Sequence, residues 1–81
     1  MAQLAAAFKA HGVEARHLRM YKVAAEREAG FYEQLLVPML KQRNPDSRAR
    51  ARESLEQLAE LGEKVRAAML RLTLGDHFGP G

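Results

Sequence analysis

Glu14 and His17 stand three residues apart in the stretch HGVEARHLRMYK, residues 11 to 22. On a helix that spacing puts a carboxylate and an imidazole on one face, the unit from which di-iron bundles are built. Such a site needs a second Glu-x-x-His pair and two further inward glutamates. Neither His11 nor His77 has a glutamate three residues before it, and Arg16 lies between the two candidate ligands, where it would oppose a cation. The pair therefore reads as a solvated helix start, and no metal or other cofactor is expected. Nucleophilic chemistry fares no better. Ser47 and Ser54 are the only serines, both in an arginine-rich helix start, and no serine triad can be drawn from them. The glycines lie singly, with no phosphate-cradling loop. Glu56, Glu60 and Glu63 fall on the polar side of a helix, where they serve solubility and pairing with Lys64 and Arg66. The chain is not expected to be an enzyme.

Two groups of residues remain as candidates for binding. The run RNPDSRARAR carries Arg43, Arg48, Arg50 and Arg52, which could contact phosphate or a partner. Arg48, Arg50 and Arg52 alternate with alanine, which should scatter them around a helix, and Asp46, Glu53 and Glu56 offset part of their charge. Phe31 and Tyr32, with Tyr21 and Leu35, form a candidate ligand pocket, because pockets combine aromatics with a few polar groups. The same helical spacing also serves an ordinary core.

The elements that would position these residues are all helical. Residues 2 to about 11 form a short alanine-rich helix with Leu4 and Phe8 one turn apart, and Gly12 ends it through the left-handed region. A second helix over about 14–42 carries Leu18, Tyr21, Ala25, Tyr32, Leu35, Leu36 and Met39. Gly30 weakens its interior, and Pro38, lacking a donor, should break or kink it. Asn44 then caps a third helix over about 46–74, with Pro45 in its first turn. Ala51, Leu55, Leu58, Gly62, Val65, Met69 and Leu72 follow one another at alternating steps of four and three. That seven-residue seam belongs to helices packing at a shallow angle. Leu61 and Ala68 widen it, which favours a bundle over an isolated coiled coil. Residues 1–74 thus read as one all-α domain of three helices, a bundle completed by dimerisation, and 75–81 as a flexible tail.

Bulk properties agree. Eighty-one residues bury only about 60% of their unfolded surface, so a partner subunit would thicken a thin core. With no cysteine, disulfides and cysteine zinc sites are excluded, and the composition fits a reducing cytoplasm. No apolar run nears the roughly 20 residues of a membrane span, and the start has no signal-peptide pattern. The net charge of +3 is interleaved rather than segregated, which permits nucleic-acid contact without demanding it.

Gly12, Val13, Leu18 and Tyr21 resemble the later part of a MerR-type winged-helix domain, where a helix ends in a glycine-hydrophobic turn. More closely, Gly12, Val13, Glu14, Arg16, His17, Leu18 and Arg19, continued by Ala24 and Arg27, are similar to the C-terminal domain of the FtsR-like transcription factors, an actinobacterial MerR-like group. Ala15 stands where that group favours proline. The resemblance covers about residues 4 to 74. It implies an effector and dimerisation domain that reaches DNA only through a separate N-terminal winged helix; it does not specify an effector, for which a small molecule is one candidate. Homodimerisation is expected on both grounds. A stand-alone basic helical protein binding nucleic acid is the alternative.

Overall fold

The computed structural model describes residues 1–78, apart from the side chains of Asp76 and Phe78. Among them the chain forms three α-helices: α1 (Ala2–Ala10), α2 (Leu18–Lys41) and α3 (Pro45–Leu74). Short 3-10 turns at Ala15–His17 and Gly75–Phe78 complete the order, and no strand is present among the described residues. The all-α class and the three-helix division follow the reading above. Two compact units result, Met1–Gln34 and the chain from Leu35 onward.

In the first unit, α1 ends as its glycine requires. Gly12 has φ +89°, the only positive φ among the described residues. Its N–H donates to the Lys9 carbonyl at 3.0 Å, and the Val13 N–H donates to the Phe8 carbonyl at 3.0 Å. These two bonds form a Schellman motif, which satisfies carbonyls that the helix end would leave unpaired. Phe8, half-buried, meets Tyr21 of α2 at 5.4 Å between ring centroids. Glu14, in extended geometry, opens the 3-10 turn. Its backbone N–H donates to Nδ1 of His17 at 2.9 Å, which is the reciprocal half of a capping box. The continuous helix from residue 14 is thus replaced by a turn that is first capped and then becomes α-helical at Leu18.

Gly12 and Gly30 make opposite predictions. An added Cβ meets nothing within 4 Å at either position, so only backbone preference decides. Gly12→Ala must hold a left-handed residue and should cost about 1–2 kcal/mol. Gly30→Ala lies inside α2 and should stabilise by up to about 1 kcal/mol. Urea midpoints moving in the same direction for both variants would contradict this account.

The second unit begins within α2. That helix passes through Pro38 to Lys41, so it does not restart there, although Pro38 cannot donate to the Gln34 carbonyl. The sharp reversal after it is built by Asn44, whose Oδ1 accepts from the Asp46 N–H at 2.8 Å and the Ser47 N–H at 3.2 Å. Pro45 occupies the first turn of α3, where no donor is lost. Burial concentrates at this corner: Leu36, Ser47 and Ala51 are the buried residues among those described. Ser47, wholly buried, donates through Oγ to Oε1 of Gln42 at 2.5 Å and accepts from Nη2 of Arg50 at 3.3 Å. A small polar side chain with both hydrogen-bonding roles met is what a tight helical corner tolerates. α3 then runs 30 residues, about 45 Å at the α-helical rise. It ends at Gly75, which stays right-handed and leads into the final 3-10 turn. Of the tail expected from residue 75, residues 79–81 lie outside the described residues.

Candidate functional site

The expected seam is on one face of α3 and changes character along it. Ala51 is buried, and Leu58 and Gly62 are half-buried. Leu55, Val65, Met69 and Leu72 are 42%, 50%, 62% and 82% exposed, rising toward the C-terminal end. Leu61, beside the seam, is also exposed. α3 thus carries an apolar stripe about two-thirds of its length that solvent reaches in the single chain. Its polar side bears the Glu60–Lys64 pair at 3.4 Å. Both partners are well exposed, and such pairs contribute little.

The basic run at the start of α3 is less scattered than its alternation suggests. Arg48 and Arg52 are one turn apart and line, with Arg43, Asn44, Pro45 and Ala49, an open concavity of about 560 Å³. No ion-pair partner is present for these three arginines among the described residues. Arg50 takes the other direction and bonds Ser47. The expectation of scatter therefore holds for Arg50 and fails for Arg48 and Arg52, because a helix brings residues four apart back to one face.

The Glu-x-x-His pair is engaged locally. His17 uses Nδ1 on the Glu14 backbone, and the Glu14 carboxylate faces Nε of Arg16 at 3.3 Å. No group of three His, Asp or Glu side chains converges to hold a metal ion among the described residues. Around the same corner, Val13, Arg16, His17, Arg19, Met20, Tyr21, Val23, Ala24 and Arg27 line a concavity of about 810 Å³. This group is not visible in any short stretch of the sequence, because Arg16, Arg19 and Arg27 stand three and then eight residues apart across the 3-10 turn and α2. The helical periodicity that exposes apolar seams would have shown it.

The aromatic candidates have separate surroundings. Tyr21 stacks against Phe8 and reaches the arginine-lined concavity. Phe31 and Tyr32 are ring neighbours at 6.1 Å, with Phe31 exposed, and the Tyr32 hydroxyl donates to Glu28 at 2.5 Å. Leu35 is half exposed and belongs to the second unit. No helix among the described residues is long and apolar enough to cross a membrane.

Comparison with known protein families gives a match. The model described as Rv1828-like, C-terminal domain matches residues 1–78. No curated protein and no solved structure matches the chain.

Proposed function

Given that the chain belongs to the Rv1828-like C-terminal domain family, we propose that it is the non-catalytic regulatory and self-association domain of a MerR-like transcription factor. In this reading the regulator is of the FtsR-like, actinobacterial kind, acts in the cytoplasm, and reads DNA through an N-terminal winged helix outside these residues. The observation that carries the self-association is the stripe on α3. Leu55, Val65, Met69 and Leu72 repeat at heptad spacing and are exposed in the single chain. Exposed apolar side chains on one helical face gain about 25 cal/mol for each square ångström that a second copy covers. Two-fold pairing is the commonest way for a small chain to obtain such cover. Gly62, on the same face, lets the backbones approach closely where the two copies cross.

Sedimentation equilibrium tests this reading. A dimer is expected at micromolar concentration, and a chain that stays monomeric at several hundred micromolar would sink it. A second reading draws on Arg43, Arg48 and Arg52, whose convergence suits the phosphates of nucleic acid. It predicts a mobility shift on random duplex that weakens steeply with salt. The regulatory reading predicts that the isolated chain binds duplex weakly and without sequence preference.

A further inference from the structure

Beyond self-association, the corner between the 3-10 turn and α2 holds an arrangement suited to a ligand. We infer that the concavity lined by Arg16, His17, Arg19, Met20, Val23 and Arg27 binds a small amphipathic anion: one carboxylate, sulfonate or phosphate group on an apolar body. The donors come first. Arg19 and Arg27 have no ion-pair partner among the described residues, and they stand eight residues apart on α2, about 12 Å along the helix. Arg16 adds a third guanidinium, its charge partly offset by Glu14 at 3.3 Å. Glu14 is not among the residues lining the concavity. His17 is oriented by its own backbone. Because Nδ1 accepts the Glu14 N–H at 2.9 Å, the neutral ring carries its proton on Nε2, the nitrogen turned away from that cap.

The apolar half lies between the donors. Met20 and Val23 occupy the turns between Arg19 and Arg27, and Val13 joins them from the glycine turn. Met20 is 65% exposed, an adaptable thioether side chain left in water. The concavity is open to solvent, and its volume of about 810 Å³ is within the range of small-molecule sites, roughly 300–1,000 Å³. Nucleic-acid phosphates would satisfy the arginines but leave Val13, Met20 and Val23 wet. An anion with an apolar body uses both halves. The site is in the first unit, whereas the pairing stripe is on α3, so binding and association are read out independently.

The test is titration of the full 15N-labelled chain with decanoate, kept below its micelle concentration and followed by amide shifts. Saturable, one-site shifts confined to residues 13–27 are expected. The Arg19→Gln/Arg27→Gln double variant, both exposed, should keep its spectrum dispersed and bind at least about tenfold more weakly, since each charge-assisted bond is worth that much. Decylammonium and 1-decanol share the apolar body and should also bind at least about tenfold more weakly. Inorganic phosphate lacks that body and should not saturate the site at about 10 mM. Several results would overturn the proposal: undiminished decanoate binding by the double variant, equal binding of decylammonium, or shifts that map to α3. So would an acidic amphipathic peptide or a DNA duplex occupying residues 13–27 where decanoate fails. Sedimentation of the same samples reports self-association separately, so a monomer that binds decanoate supports the site and contradicts only the pairing.

Discussion

Met69→Asp is expected to leave the single chain folded and to abolish the dimer. Met69 is 62% exposed, so in the monomer an aspartate there remains in water and costs little beyond a modest loss of helix propensity. In the dimer the same carboxylate would be buried on the pairing face without a partner, at a cost of several kcal/mol. Since each 1.4 kcal/mol is tenfold in an association constant, dimerisation should weaken by about a hundredfold or more. Helical circular dichroism at low concentration should be little changed. A Met69→Asp chain that sediments as a dimer would show that the stripe is not the interface. Leu58→Asp is a harsher version of the same experiment. Leu58 is already half-buried in the single chain, so its loss of association should come with loss of helicity.

Ser47→Leu is expected to give the largest loss of stability of any single substitution at the α2–α3 corner. Ser47 has no exposed surface, and its hydroxyl both donates to Gln42 and accepts from Arg50. Leucine would need space that the corner lacks, an overpacking cost of about 1–3 kcal/mol, and would remove both hydrogen bonds. For a chain of this size each kcal/mol is about 4–8 °C in melting temperature, so a drop of about 10 °C or more is expected. Ser47→Ala should cost only about 1 kcal/mol, because Gln42 and Arg50 are exposed and can turn to water. Equal melting temperatures for Ser47→Leu and the parent would mean that the corner is not closely packed.

Much of the fold was legible because its signals are local. Gly12 and the Asn44-Pro45 pair act within a few residues of themselves, and each does in the structure what its chemistry dictates. The α3 seam was legible as a period, although the period does not tell which residues are covered: Ala51 is buried and Leu72 is almost bare. Of the break or kink expected at Pro38, the break does not occur, since a missing donor weakens a helix without obliging it to restart. His17 shows a different limit. Its spacing from Glu14 suits a metal face on a regular helix, but a 3-10 turn intervenes and the imidazole caps the backbone instead. Ser47 carried no signal at all, because its burial comes from the corner that folds around it and not from its own pattern. The arginines hid a third kind of information. Alternation in RARAR suggested dispersal, yet Arg48 and Arg52 return to one face with Arg43.

In the proposed function this chain holds two copies of a regulator together. The most direct measurement fuses it to a monomeric winged-helix domain of known half-site and follows binding to the two-fold operator. Linking two weak half-site contacts should raise affinity by about 10²–10⁴ over the unfused domain, and the Met69→Asp fusion should lose that gain. An unfused and a fused domain that bind the operator equally, or a gain that survives Met69→Asp, would contradict it.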